Sequence, residues 1–194
     1  MSDRSRRPRP VGPLPALLVL ALTACGDPLG LPPATQPTVE LSFTLYALTG
    51  TPVGTASAFN LVTQTAQRTD RTIDFDFAVD LVGGAAGDST VVILPRGALG
   101  FQADGGAQLV AAPFDSVLLA PTTGYAQDIP LAVDSGDVVV VASRLQQCNF
   151  GINRPRYAKL SVESVDRVLR SVTFKIRIDP NCGYRGLGPG IPTN

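Results

Sequence analysis

The chain has 194 residues, of which 44% are hydrophobic and 16% are charged, and its 16 basic and 16 acidic residues cancel. Low charge together with abundant Val, Leu, Ile and Ala excludes a wholly disordered chain and suits a compact β-rich domain. The sequence contains no histidine, which excludes the usual Ser-His-Asp and Cys-His catalytic arrangements.

The N-terminal segment has the pattern of an export signal. Arg4, Arg6, Arg7 and Arg9 form a basic head, and residues 11–22 form an apolar run of 12 residues. A membrane-spanning helix needs about 20 apolar residues, whereas a run of this length matches the apolar core of a signal peptide. We therefore predict export rather than a membrane-spanning helix.

The tetrad Leu22-Thr23-Ala24-Cys25 closes this segment. It resembles the lipobox of bacterial lipoproteins, Leu-[Ala/Ser/Thr]-[Gly/Ala]-Cys. The resemblance implies cleavage before Cys25 and acylation of its sulfur and of the new N-terminus. It also implies two or three acyl chains, which anchor a protein stably where one chain holds only reversibly. Because Gly26 rather than Asp follows Cys25, the family's sorting rule favours the outer membrane or the cell surface.

Three parts of the chain follow from this interpretation. Residues 1–24 are the predicted signal peptide, residues 25–38 the lipidated cysteine and a Pro-rich tether, and residues 39–194 a β-sandwich domain. Pro-rich segments favour the extended polyproline II conformation and do not form a packed core. We therefore expect the tether to act as a stalk that lifts the domain off the membrane.

Cys148 and Cys182 remain once Cys25 is assigned to lipidation. An even pair of cysteines in an oxidising compartment predicts a disulfide. Two cysteines without histidine make a poor zinc site. We therefore expect a structural role for this pair, and no metal or cofactor.

Alternating apolar and polar residues predict strands through most of the domain. The clearest alternation is in residues 73–81, and weaker candidates are 114–119 and 129–133. Residues 56–67 fit a short helix or a strand equally well. The other predicted strands are residues 41–47, 91–94, 138–141, 158–163 and 172–178.

Turn-forming residues separate these strands. Residues 134–137 and 165–168 suit tight hairpin turns, and residues 83–88 and 100–106 form Gly-rich loops. Short strands with frequent turns favour an all-β fold, an antiparallel β-sandwich of immunoglobulin-like or similar type, with a closed β-barrel as the alternative. We also expect the disulfide to tie the C-terminal hairpin to the stretch around Cys148.

Arginines cluster in sequence around the two cysteines. If the bridge gathers them, they form a candidate site for phosphate, carboxylate or an acidic glycan. The competing interpretation is surface arginines that pair with the acidic N-terminal half, and we favour that one. The residues concerned are Arg144, Arg154, Arg156 and Arg185.

Other charged residues offer weaker candidates. Asp74, Asp76 and Asp80 are predicted to share one strand face, where a solvated surface is more ordinary than an acid/base pair or a Ca²⁺ site. Lys159 and Lys175 leave a Ser-Lys pair open, but both fall on the polar face of predicted strands, where we expect solvated side chains.

The function expected from these patterns is a non-enzymatic envelope lipoprotein that binds or scaffolds another envelope protein. The alternative is a lipoprotein that captures an anionic glycan or small anion. A carboxylate-dependent hydrolase that uses Asp74 and Asp76 is the least favoured hypothesis. The expected partners are therefore the membrane, through Cys25, and an envelope protein or glycan, and not nucleic acid.

Overall fold

A computed structural model describes residue 31 and residues 33–83, 89–148 and 151–193 of the chain. The predicted signal peptide and Cys25 lie outside the described residues. So do residues 84–88, which belong to one of the two predicted Gly-rich loops.

The described residues form short strands and two 3₁₀ segments, Arg96–Leu99 and Phe114–Ser116. In chain order the strands are β1 (Val39–Tyr46), β2 (Ala58–Asn60), β3 (Thr65–Gln67), β4 (Phe77–Val82), β5 (Thr90–Pro95), β6 (Gly106–Val110), β7 (Leu131–Val133), β8 (Val138–Ala142), β9 (Gln146–Gln147), β10 (Asn153–Arg154), β11 (Tyr157–Asp166) and β12 (Ser171–Ile178).

Two five-stranded antiparallel sheets pack against each other. The first sheet has the order β1-β12-β11-β8-β6, and the second has the order β3-β2-β4-β5-β7. A small ribbon pairs β9 with β10. The predicted all-β sandwich is therefore confirmed, and the strands of the described residues divide between separate sheets rather than closing into one barrel.

The core lies between the two sheets and is built by the predicted alternation. On β12, Val172, Phe174 and Ile176 are fully buried and face the other sheet. Phe43 of β1 stacks on Phe59 of β2, with ring centroids 4.1 Å apart, and so joins the sheets directly. Full burial of one such side chain contributes about 1.5–3 kcal/mol to folding.

A second apolar cluster covers the outer face of the first sheet. Val117, Ala120 and Leu187 pack on Val138 and Val140 of β8. Both faces of β8 are therefore covered, which explains why this strand is a continuous apolar run instead of an alternating one.

Lys159 corrects the expectation of a solvated lysine. Its side chain is fully buried under this outer cover, and its Nζ donates hydrogen bonds to the carbonyls of Phe114 (2.6 Å) and Val117 (2.8 Å). Nζ also lies 4.6 Å from the centroid of the Phe114 ring. Burial lowers the pKa of the Lys159 amine to about 8.

Three further expectations on secondary structure are corrected. Residues 134–137 do not form a hairpin turn, because they join β7 and β8, which belong to different sheets. Residues 114–119 form the 3₁₀ segment and a loop rather than a strand. The strand predicted at residue 73 begins only at Phe77.

Residues 56–67 fitted a helix or a strand equally well in the sequence. In the structure they contain the strands β2 and β3.

Replacing Lys159 with Met should lower the free energy of unfolding by about 2 kcal/mol, because two buried carbonyls lose their donor. Urea denaturation measures the change. Lys175→Met is the matched control: Lys175 is one-third exposed and pairs with Glu40 at 3.1 Å, and such a pair contributes less than about 1 kcal/mol. A Lys159→Met variant at least as stable as the native chain would contradict this role.

Candidate functional site

A cleft of about 380 Å³ opens beside Cys148 and Cys182. The residues just before β1 form one of its walls, and the β9 glutamines and the segment after β12 form the others. Its lining residues are Pro33, Ala34, Thr35, Gln36, Val62, Gln146, Gln147, Cys148, Arg156, Pro180, Asn181, Cys182 and Tyr184.

The two cysteines lie at disulfide distance, with Cα atoms 5.8 Å apart and a sequence separation of 34 residues. Cys148 follows β9, and Cys182 lies four residues beyond the end of β12. The pair holds the segment that follows the C-terminal hairpin next to the stretch around Cys148, as expected from the sequence.

Asn181 holds the wall that precedes β1. Its Oδ1 accepts hydrogen bonds from the backbone N–H groups of Thr35 and Gln36, both at 3.1 Å, and its Nδ2 donates to the Gln36 carbonyl at 2.8 Å. Oδ1 of Asp179 in turn accepts from the backbone N–H and from Nδ2 of Asn181. The described end of the Pro-rich segment is therefore held against the domain.

Arg156 supplies the positive charge of the cleft. Its Nη1 donates to the Val62 carbonyl at 3.0 Å, and its backbone N–H donates to Oγ of Ser143 at 2.9 Å. Its Nε is buried and has no hydrogen-bond partner among the described residues. Burial lowers the pKa of the Arg156 guanidinium.

Asp179 is the acidic counterpart of Arg156. It is fully buried, and its Oδ2 has no hydrogen-bond partner within the described part of the chain. Burial raises the pKa of the Asp179 carboxyl to about 6. Asp179 does not line the cleft itself, but it holds Asn181, which does.

The other three predicted arginines lie outside this lining. Arg144 pairs with Asp74 at 3.3 Å and with Asp76 at 3.5 Å. Arg185 donates two hydrogen bonds to the Ala120 carbonyl. Arg154 is exposed on β10. Anion binding by any of the four arginines stays a prediction.

Asp76 and Asp80 correct the expectation of a shared, solvated strand face, whereas Asp74 is exposed. Asp74 and Asp76 precede β4, and Asp76 is buried, where it accepts hydrogen bonds from the backbone N–H groups of Leu61 (2.6 Å) and Arg144 (3.0 Å). Burial raises the pKa of the Asp76 carboxyl. Asp80 is also buried. Asp76 bonds to Leu61 and Arg144, and Asp80 accepts a hydrogen bond from the backbone N–H of Thr49. The sequence pattern did not predict that these segments lie beside the two carboxylates.

Sequence reasoning missed the amide side chains of the cleft, which belong to Gln146, Gln147 and Asn181. Asn181 carried one signal, since it directly precedes Cys182. Gln147 carried the same signal, since it directly precedes Cys148, whereas Gln146 and the residues before β1 carried none, because only the folded chain brings them together.

Comparisons of the chain with protein-family models, with curated proteins and with solved structures found no match. No helix within the described residues combines the length and the apolar character needed to cross a membrane. The same residues contain no group of three or more His, Cys, Asp or Glu side chains placed to hold a metal ion.

Reduction tests the cysteine pair. Intact mass should rise by two hydrogens on reduction, and the free energy of unfolding should fall by about 3–4 kcal/mol, as expected for a closed loop of this size. The Cys148→Ser, Cys182→Ser double variant is the control and should not respond to reductant. An unchanged mass would show that both thiols are free.

Asp179 predicts a specific pH dependence. The native state binds its proton more tightly than the unfolded chain, because the native pKa is raised from 3.8 to about 6. The free energy of unfolding should therefore fall as pH rises through this range, by up to about 3 kcal/mol. The Asp179→Asn variant should lose this pH-dependent part of the stability. The control variant Asp128→Asn, at an exposed position, should keep it. Denaturant titrations across this pH range measure the difference, and parallel curves for native and Asp179→Asn chains would contradict the assignment.

Proposed function

We propose that this chain is a lipid-anchored, non-enzymatic protein of the cell envelope that works as an interaction and scaffolding module. The observation that supports the proposal is the cleft beside Cys148 and Cys182. It combines the exposed side chain of Gln147 with the partly buried side chains of Gln146 and Arg156.

The chemistry of these walls suits an acidic or amide-bearing segment of a protein partner. Gln146 and Gln147 offer donors and acceptors, and Arg156 offers a cation that is partly shielded from water. Charge-assisted hydrogen bonds are about twice as strong as neutral ones. A carboxylate that reaches Arg156 is therefore the expected central contact.

The proposed cellular location of the protein rests on the resemblance of residues 22–25 to a lipobox. Lipidation of Cys25 places the domain at the outer membrane or cell surface. Residues 33–38 are the end of the proposed tether, and their hydrogen bonds to Asn181, Gly188 and Gly190 fix where the chain enters the domain.

A second candidate function is capture of an anionic glycan or small anion by the same cleft. The observation that favours it is the position of Arg156 among the residues that line the cleft. Such binding should weaken with added salt, because it depends on one charge pair.

In-cell photocrosslinking distinguishes these functions. A photoreactive residue replaces the exposed Gln147 on the cleft wall, and the control replaces the exposed Thr122, which lies outside the cleft lining. Capture of one envelope protein from position 147 alone supports the interaction module. Capture of a glycan supports the second function. Equal capture from both positions would contradict a role for the cleft.

Variants then test the central contact. Arg156→Gln should weaken capture at least tenfold, which corresponds to about 1.4 kcal/mol, whereas Arg154→Gln at an exposed position should not. Cys25→Ser should remain unprocessed and should lose capture if the anchor is needed to reach the partner. Normal acylation of that variant, shown by mass spectrometry, would contradict the lipobox interpretation.

A further inference from the structure

Strand β1 is a long edge strand with no neighbour on its outer side among the described residues. It pairs with β12 over eight residues in one continuous register. The other edge strands of the two sheets are shorter or covered: β3 and β7 have three residues each, and Ala107 of β6 exchanges hydrogen bonds with Ala126. A long, regular edge without Pro or Gly is a template for an additional strand.

The direction of the backbone groups follows from the hydrogen bonds at the end of β1. The Ala47 N–H donates to the Arg170 carbonyl on the β12 side, and the Tyr46 N–H donates to the Ala56 carbonyl on the other side. In an antiparallel strand, successive residues turn their N–H and C=O groups to opposite sides. Odd-numbered residues of β1 therefore bond to β12.

Even-numbered residues of β1 direct their backbone groups to the free edge. These residues are Glu40, Ser42 and Thr44, and none of their backbone groups has a hydrogen bond to the described residues. The N–H of Thr38 donates to the Gly190 carbonyl and that of Tyr46 to the Ala56 carbonyl, so the open stretch is limited on both sides.

The inner face of this edge is also incomplete. Leu41 and Phe43 point toward the core but remain partly exposed, whereas Leu45 on the same face is fully buried. The strand at the corresponding edge of the other sheet, β3, has only three residues. A neighbour on β1 would therefore cover apolar surface in addition to pairing the backbone groups.

We propose that a second copy of this chain occupies the edge, with the two β1 strands antiparallel and Ser42 at the two-fold axis. Ser42 then pairs with Ser42 of the second copy, and Glu40 pairs with its Thr44. Each such pair exchanges two backbone hydrogen bonds. The open stretch is self-complementary. Thr38 and Tyr46 limit it at its two ends, and they lie equally far from Ser42 in sequence.

Side chains match in this register as well. On the inner face, Leu41 lies opposite Phe43 of the second copy, so both partly exposed side chains are covered. On the outer face, Glu40 lies opposite a threonine rather than another acid, and its charge is paired with Lys175 and Arg177 of its own sheet. The contact is isologous, as two-fold dimers require, and it does not involve the cleft.

Cysteine substitution tests this register in the full-length chain. Paired Cα atoms at the axis are about 5.5 Å apart, which suits a disulfide, so Ser42→Cys should give a linked dimer after mild oxidation. Thr44→Cys is the matched control, because two copies of Thr44 lie about 13 Å apart along the strands. Non-reducing electrophoresis measures the product. A linked dimer from Thr44→Cys but not Ser42→Cys, or from neither, would overturn the proposal.

A proline variant tests the dimer without a new bond. Ser42→Pro removes an N–H that β12 does not use, and proline is tolerated on such an edge. Sedimentation of the detergent-solubilised chain should show a native dimer, a monomeric Ser42→Pro variant with unchanged circular dichroism, and a dimeric Ser42→Ala control. A native chain that stays monomeric, or a fully dimeric Ser42→Pro variant, would overturn the proposal. Either result leaves the cleft proposal open, because the Gln147 experiment addresses a different surface.

Discussion

Buried charged side chains that bond to backbone groups hold the loops of this sandwich in place. Lys159 donates to two carbonyls of the outer cover, Arg96 donates to the carbonyls of Ile73 and Phe75, and Asp76 accepts from two backbone N–H groups. Short strands leave long connections, and a buried backbone group without a partner costs about 1–3 kcal/mol. These side chains supply the partners that regular secondary structure would otherwise provide.

These internal contacts determine which arginine side chains can still bind a ligand. Arg144 and Arg185 have their donors engaged by Asp74, Asp76 and the Ala120 carbonyl. Arg156 differs, because it lines the cleft beside the cysteine pair and bonds to the fold through Nη1, which donates to the Val62 carbonyl. Of the four arginines near the two cysteines, Arg156 is thus the one that lines the cleft.

The two proposed contact surfaces differ in their chemistry. The cleft is polar, and its shape depends on the Cys148–Cys182 pair and on Asn181. The β1 edge offers backbone groups and two partly exposed apolar side chains, Leu41 and Phe43. A chain that uses both can bind a partner at the cleft while it pairs with its own copy, since neither surface includes residues of the other.

The sequence by itself determined the all-β class, most of the strands and the pairing of the two domain cysteines. Period-two alternation and cysteine number are local signals, and the core of β1, β11 and β12 follows them closely. Tertiary structure alone decided that residues 134–137 cross between sheets, that Lys159 and Asp76 are buried, and that Arg156 joins Asn181 in one cleft. Those outcomes depend on which distant loops supply hydrogen-bond partners to a charge, and no local pattern of residues encodes that choice.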